Sequence, residues 1–287
     1  MLGLLVTASL TAAPPLDVVY VPDPRGDFVT VCRSEGETRS ARRVIVWEQD
    51  GRIVRSEAPR EVILTAAEVE RLRQAIFDRQ ELGEDLARYV SWRRDAGWEA
   101  TLVSDVERMD EGTFVAIDAG KWGGGLMWLT QDSVRSIFLG PMHAIARDGD
   151  VVLVAEGNHH GFGGPGSLLR VITPGGRPEI DVIYDLPGTL RDVAVGGGLI
   201  VMASEFGPIV IDEEGILHRR ATNHTGMHDD RQDRRHPDSD GSVAIDADGA
   251  VHVGLAGGYA IYRDLPGSFA YEYYALTEPC ADPARPD

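Results

Sequence analysis

Short apolar runs separated by glycine-containing turns recur through residues 107–287. In each copy, two apolar runs flank a tight turn, and a third run follows a glycine-rich break. This is the pattern of short antiparallel strands. The copies are Glu111–Ile117 with Gly125–Leu129, His143–Val154 with Gly166–Ile172, Asp192–Met202 with Pro208–Ile211, and Ser242–Val253 with Tyr259–Tyr262.

The spacing of the copies predicts one four-stranded sheet for each. Their turn glycines, Gly112, Gly149, Gly198 and Gly249, are 37, 49 and 51 residues apart, close to the roughly 40–50 residues of one propeller blade. Fourth strands are predicted at Val134–Leu139, Asp181–Leu186, Ile216–Arg220 and Phe269–Ala275. A parallel α/β fold is disfavoured because the intervening stretches are too short for helical crossovers. We therefore predict a mainly β fold, a propeller-like array of four-stranded antiparallel sheets.

The last copy carries a resemblance to a known repeat. Residues Asp240–Tyr262, with an Asp-Gly turn between two apolar strands, resemble the repeat of six-bladed NHL and SMP-30-like propellers. The resemblance implies a propeller fold and leaves activity open, since one fold serves many functions. The metal ligands of the SMP-30-like lactonases cannot be traced position by position in this chain.

The N-terminal part, residues 14–106, has a different pattern. Strands are predicted at Val18–Val21, Phe28–Cys32, Val44–Trp47 and Ile53–Arg55, with Asp50-Gly51 closing a hairpin. They form either a fifth blade or a small β+α domain. Thr65 and Glu68 make a capping box before apolar residues at helical spacing, which predicts one helix near 66–78. Residues 79–105 are polar and are expected to be a linker.

Charge and the first residues narrow the function classes. The net charge of -18 argues against nucleic acid or an anionic membrane as a partner, because an acidic surface repels both. Residues 1–13 are apolar with small residues at their end, as in a secretory signal, although no basic residue precedes them. The run is too short to span a bilayer. We expect an extracellular or periplasmic monomer.

The two cysteines fit that location. Cys32 and Cys280 are the only cysteines and lie near opposite ends of the chain. In an exported protein, two cysteines most simply form one disulfide. In a cytosolic protein they would be two unrelated thiols.

The first candidate site is a polar insertion at residues 222–241. It contains His224, His228 and His236 together with aspartates such as Asp229 and Asp230, and imidazole and carboxylate ligands suit zinc or a similar divalent ion. Three arginines are interleaved, however, and no tight ligand motif is present. A solvated loop is therefore the competing interpretation.

Two further candidates lie in glycine-rich segments. His159 and His160 stand among glycines in residues 156–166, where they could act as bases or ligands, but a P-loop lysine is absent. Trp122 precedes three glycines and could offer a flat binding platform. Exposed loop side chains and packing between blades are the alternative explanations.

Two functions remain from the sequence. The first is a non-enzymatic binding protein that uses loops at one end of a β scaffold to hold a protein or a small molecule. The second is a metal-assisted hydrolase or lyase with His and Asp or Glu ligands at a central channel. The first is preferred because the histidines and aspartates cluster in one insertion, whereas propeller enzymes collect ligands from several blades. No cofactor is firmly implied beyond a divalent metal in the second case.

Overall fold

The computed structural model describes residues 18–21, 44–56, 64–79, 103–118, 124–157, 165–186, 188–204, 207–220, 241–255 and 258–275. Within these ranges the protein is mainly β, with one α-helix and five sheets. The helix α1 spans Ala66–Arg79, and none of the described helices is long and apolar enough to cross a membrane.

Four of the sheets are antiparallel four-strand units that we call blades I to IV, with strands paired in chain order. Blade I contains β4 (Val103–Met109), β5 (Gly112–Asp118), β6 (Gly124–Leu129) and β7 (Val134–Leu139). Blade II contains β8 (Met142–Asp148), β9 (Val151–Gly157), β10 (Gly166–Ile172) and β11 (Glu179–Leu186). Blade III contains β12 (Leu190–Gly196), β13 (Leu199–Ser204), β14 (Gly207–Ile211) and β15 (Leu217–Arg220). Blade IV contains β16 (Val243–Ile245), β17 (Val251–Leu255), β18 (Gly258–Tyr262) and β19 (Tyr271–Ala275).

The remaining strands belong to the N-terminal part. Strand β1 (Val18–Val21) adds in parallel to the outer edge of β15 in blade III. Strands β2 (Ile45–Gln49) and β3 (Arg52–Ser56) form the N-terminal hairpin. Its turn residues Asp50 and Gly51 both have positive φ, 52° and 74°. A two-residue hairpin turn of type I′ requires positive φ at both positions.

The blades are arranged so that their first strands adjoin one another. Strand β4 lies beside β8, β8 beside β12, β12 beside β16, and β16 beside β2 of the hairpin. The first strands are therefore innermost, and the hairpin takes the fifth place in the series. This confirms the predicted mainly β, propeller-like array with a helix.

Apolar side chains fill the spaces between neighbouring sheets. Phe114 and Trp128 of blade I pack with Val154 and Leu169 of blade II, and comparable clusters join blades II and III and blades III and IV. Strands buried on both faces are continuously apolar, as β6 is.

Helix α1 covers the other face of blade I. Leu72 and Ile76 pack against Val115 and Met127 in one buried cluster. The capping box is present, because the Thr65 backbone N–H donates to the Glu68 carboxylate (2.7 Å) and the Glu68 N–H donates to the Thr65 hydroxyl (3.2 Å). The helix thus occupies the side of blade I that faces away from blade II.

Candidate functional site: the central cavity

A cavity of about 450 Å³ lies between the innermost strands. Its walls come from β2, β4, β8, β12 and β16 or the residues just before them, so five sheets contribute to one space. We call the end where these strands begin the loop end, marked by Ser104, His143 and Arg191. The opposite end, beside the first hairpin turns, is the turn end, marked by Glu48 and Glu107.

Two aspartates on the cavity wall fasten neighbouring blades together. Asp105 accepts the N–H of Val106 in its own strand (2.8 Å) and the N–H of Ile145 in blade II (2.9 Å). Asp192 makes the same pair of bonds in blade III, from the N–H of Val193 (2.8 Å) and from Val243 of blade IV (2.7 Å). A carboxylate that accepts two backbone donors is held in place as a structural clasp.

A β-bulge lies immediately before each of these aspartates. The pairing of β4 with β5 skips a residue between Val103 and Asp105, and the pairing of β12 with β13 skips one between Leu190 and Asp192. The extra residue of such a bulge bends the strand and redirects its side chains. The carboxylates can therefore reach the next blade.

The two serines of the cavity wall also serve the fold. Ser104 donates its hydroxyl to the Met142 carbonyl of blade II. Ser242 accepts the N–H of Val46, which ties blade IV to the N-terminal hairpin (2.6 Å). Both hydroxyls are thus engaged with backbone groups of a neighbouring sheet.

His143 at the loop end contacts residues of two blades, Asp118 of blade I and Gly157 of blade II. Its side chain is 6% exposed, and Nδ1 lies 3.1 Å from the carboxylate of Asp118. Its Nε2 lies 3.1 Å from the carbonyl oxygen of Gly157. Both ring nitrogens face acceptor atoms, so the two contacts together fix the orientation of the imidazole ring. Asp118 and Gly157 are the last described residues before 119–123 and 158–164.

A carboxyl group beside His143 is affected by burial. Burial raises the pKa of Glu156, and the negative charge of Asp185 adds to the rise. A hydrogen bond with Ser167 and the proximity of His143 lower that pKa, but the net pKa stays above its ordinary value. The loop end therefore brings two partly buried carboxyl groups, Asp118 and Glu156, close to the buried His143 side chain.

The turn end carries an aromatic ring and two carboxylates. Trp47 donates its indole N–H to the side chain of Gln49 (3.3 Å), and Glu48 accepts the N–H of Gly51 across the hairpin turn. Glu107 of β4 lies 3.8 Å from Arg147 of β8. The Arg147 guanidinium also donates to the carbonyl of Gly149 at 2.7 Å. Trp47 is partly exposed and Glu48 is exposed.

The other described histidines lie away from the cavity wall, each with an aspartate. His218 contacts Asp212 at 2.7 Å and His252 contacts Asp246 at 2.8 Å. Both aspartates also accept N–H groups of their own turns. Burial raises the pKa of each aspartate. The hydrogen bonds from the histidine and from the turn N–H groups together lower it by more, so the net pKa is below the ordinary value.

Arg55 of the hairpin fixes the proton position on His252. Its guanidinium lies 3.1 Å from His252 Nδ1. Because guanidinium only donates, Nδ1 is an acceptor and Nε2 carries the proton that faces Asp246. The three described histidines are thus in three different blades and do not converge. Across the described ranges, no group of three or more His, Cys, Asp or Glu side chains is placed to hold a metal ion.

The residues predicted from the sequence as ligands lie outside the described ranges. These are Trp122, His159, His160, His224, His228, Asp229, Asp230, His236, Cys32 and Cys280. The binding loops, the metal site and the disulfide stay predictions. The described geometry instead places on the cavity wall residues that the sequence motifs did not mark, with Trp47 and Glu107 toward the turn end and His143 at the loop end.

Comparison with known proteins gives similarities at the level of structure. No family model and no curated protein matches the chain. A solved extracellular domain of a protein described as a hybrid two component system from B. thetaiotaomicron is 16% identical with a TM-score of 0.44, covering 62% of this chain and 22% of that one. Apo AztD from Citrobacter koseri is 13% identical with a TM-score of 0.40, covering 84% and 60%. This chain therefore spans only part of both. The similarity to NHL and SMP-30-like repeats stays a resemblance of strand pattern.

Proposed function

We propose that this chain is a non-enzymatic binding protein that works outside the cytoplasm and holds a small ligand in its central cavity. The observation that carries the proposal is the cavity of about 450 Å³, which is lined by strands of five sheets. Ligand pockets for small molecules have volumes of about 300–1,000 Å³ and are lined by apolar groups with a few polar ones. This cavity has both kinds of wall.

Four polar side chains of the wall favour binding over catalysis. Asp105 and Asp192 each accept two backbone N–H groups. Ser104 and Ser242 are engaged with backbone atoms of the next sheet. A general base or nucleophile has to be available to the substrate. These four side chains instead hold the cavity walls in place.

Location outside the cytoplasm is part of the same proposal. It is supported by the apolar residues 1–13 with their small-residue end. A producing cell that exports the protein should release it to the medium or periplasm, and deletion of residues 1–13 should leave it in the cytoplasm. Cell fractionation checks this, and equal distribution of both forms would contradict export.

Native mass spectrometry tests the binding function. The protein, purified under non-denaturing conditions from its producing cell, is expected to carry a small molecule that denaturation releases. Ala194 lines the cavity, so Ala194→Phe fills part of the space and should abolish the extra mass. Ala247→Phe, at an exposed turn position, is the matched control.

Two results would contradict the proposal. One is a cavity that is empty in every preparation. The other is hydrolysis of p-nitrophenyl acetate or a simple lactone by the zinc-supplemented protein that Ala194→Phe removes and Ala247→Phe preserves. The second result would instead favour the metal-assisted hydrolase.

A further inference from the structure

We propose that the N-terminal hairpin is a pH-sensitive wall of the central cavity, docked on blade IV while His252 is neutral and loosened when His252 is protonated. Residues 45–48 of strand β2 line the cavity, so the hairpin forms part of its wall. What the loosening does to a bound ligand rests on the proposed binding function. The loosening itself depends only on the contact between the hairpin and blade IV.

The hairpin contacts blade IV through both of its strands. From β2, the Val44 N–H donates to the Leu255 carbonyl at 3.1 Å. From β3, the Arg55 guanidinium lies 3.1 Å from His252 Nδ1 and 4.5 Å above the centre of the Tyr259 ring. Arg55 therefore joins the second strand of the hairpin to a titratable side chain of blade IV.

The neutral form of His252 fits this contact. A guanidinium has five N–H donors and no acceptor, and it stays charged at any physiological pH. Nδ1 of His252 therefore accepts from Arg55, and Nε2 carries the proton that faces Asp246, 2.8 Å away. The His252 side chain is 5% exposed, so water has little access to either contact.

Protonation of His252 would place two like charges in contact. The imidazolium carries a second N–H, on Nδ1, which would point at the guanidinium from which Nδ1 now accepts. Two donors cannot bond to each other, and adjacent like charges repel. Asp246 favours the imidazolium, but it lies between β16 and β17 and stays beside His252 whether or not the hairpin is docked. The difference between the docked and undocked states therefore comes from Arg55.

The strands on either side of His252 add no charge to this balance. Its register partners are Ala244 of β16 and Ile261 of β18. The next charged residue outward is Glu272 of β19, opposite Ile261, and its carboxylate is bonded to Arg263 at 3.3 Å. In the described contacts, the charged groups that face the imidazole are thus the carboxylate of its own turn and the guanidinium of the hairpin.

The link between protonation and docking sets the direction of the effect. Falling pH favours the state that binds a proton more readily. The undocked state is that state, because the Arg55 guanidinium has moved away from His252. Histidine ordinarily changes charge between about pH 5 and pH 8. The docked hairpin is therefore favoured near neutral pH and loses population on mild acidification.

Blade III contains a matched histidine without the guanidinium. His218 Nε2 lies 2.7 Å from Asp212, which accepts N–H groups of its own turn as Asp246 does. Nδ1 of His218 is buried and has no hydrogen-bond partner among the described residues. Protonation of His218 therefore opposes no bonded guanidinium there, and this residue serves as the control for His252.

Hydrogen exchange of the whole protein at about pH 7.5 and about pH 5.5, corrected for the intrinsic exchange rates, tests the proposal. The protection factors of residues 44–56 should fall about fivefold or more on acidification, as expected for like charges in contact near a protein surface. Helix α1 should keep its protection, since its Glu68 link weakens only below about pH 4.5. His252→Gln keeps a donor and an acceptor but gains no charge, so it should abolish the fall, and His218→Gln should preserve it.

An equal fall in the wild type and His252→Gln, or no fall in the wild type, overturns the proposal. If His252→Gln does not fold, Arg55→Gln replaces it. This variant removes the like charge and offers an amide oxygen to the imidazolium, so a fall as large as in the wild type would again overturn the proposal.

The carried small molecule gives a separate measurement. Its release at about pH 5.5 from the wild type, but not from His252→Gln, supports the same switch at the level of the ligand. A cavity that is empty in every preparation contradicts the binding function alone, because the exchange of the hairpin is measured without a ligand.

Discussion

Single polar residues in this protein join secondary-structure elements that lie far apart in the sequence. Glu68 is an example, because it caps helix α1 through Thr65 and also binds Arg108 of blade I at 2.7 Å. The side chain of Glu68 is 10% exposed and that of Arg108 is 50% exposed. The carboxylate therefore links the helix to the sheet that the helix covers.

The charge of Glu68 makes this link pH-dependent. The hydrogen bond from Arg108 is the largest cause that lowers the pKa of Glu68 from 4.5 to about 2, while burial opposes it and the bonds to Thr65 add to it. Because the folded pKa is depressed, the stabilisation is complete above about pH 4.5 and is lost as pH falls toward 2. Glu68→Gln should lower the free energy of unfolding at pH 7 by about 1–3 kcal/mol.

Urea unfolding of the wild type and Glu68→Gln at pH 7 and at pH 3 measures this effect. The difference between the two proteins should shrink at pH 3. Glu70→Gln, on an exposed part of the same helix, is the control and should change little at either pH. A difference of equal size at both pH values would show that the Glu68 charge is not what stabilises the helix contact.

At the scale of elements, the sequence predicted the strands that are apolar and missed one that is polar. Strand β7 was predicted with its observed bounds, Val134–Leu139. Strand β4 begins at Val103, inside the stretch expected to be a linker. It has no apolar run, because Asp105 clasps the next blade and Glu107 lines the cavity. An inner strand beside a polar cavity lacks the regular pattern of apolar residues from which strands are predicted.

The cavity could be found from the sequence only by aligning the repeats. Asp105-Val106 in blade I and Asp192-Val193 in blade III occupy equivalent positions, and both aspartates make the same two bonds. The shared Asp-Val pair was the available signal. The position of Trp47 on the cavity wall could not be predicted in this way, because it depends on how the hairpin packs beside the blades.

The attachment of the N-terminal hairpin depends on a close backbone approach at Gly254. The Val44 N–H donates to the Leu255 carbonyl at 3.1 Å, and a Cβ added at Gly254 would lie 2.2 Å from the Val44 carbonyl oxygen. Gly254→Ala should therefore push β2 away from blade IV, at a cost of about 1–3 kcal/mol. Hydrogen exchange should become faster in residues 44–56 and change less in blade I.

Gly267→Ala is the matched control for that experiment. It lies in the same blade, and its added Cβ would meet only the Asp264 carbonyl oxygen, at 3.3 Å. Exchange in residues 44–56 should stay at the wild-type rate. If Gly254→Ala leaves the hairpin as protected as in the control, β2 is not held by this contact.

For the whole molecule, the contact between the hairpin and blade IV joins an early part of the chain to a late one. Val44 and Val46 form a buried cluster with Ala244, and the Arg55 guanidinium lies 4.5 Å above the centre of the Tyr259 ring. Terminal elements fray unless they are tied down. The contact between the hairpin, which is early in the sequence, and blade IV, which is late, therefore limits fraying of both.

The predicted disulfide between Cys32 and Cys280 would reinforce this meeting point. Cys280 follows the end of β19 by five residues and Cys32 precedes Val44 by twelve, although both cysteines lie outside the described ranges. Extended chain spans at most about 3.3–3.6 Å per residue, so five residues reach roughly 17 Å from Ala275. Both cysteines are thus within reach of the junction.

Closing so long a loop would stabilise the folded state by about 4–5 kcal/mol on the chain-entropy model, less any strain. Thiol titration of the unfolded, unreduced protein isolated from outside the cytoplasm should find no free thiol, and the reduced protein should unfold at lower urea. A Cys32→Ser/Cys280→Ser double variant should match the reduced protein and no longer respond to reductant, which separates loss of the bridge from any other effect of the reductant. Two free thiols in the unreduced wild type would refute the bridge and weaken the case for export, because oxidised cysteine pairs belong to compartments outside the cytoplasm.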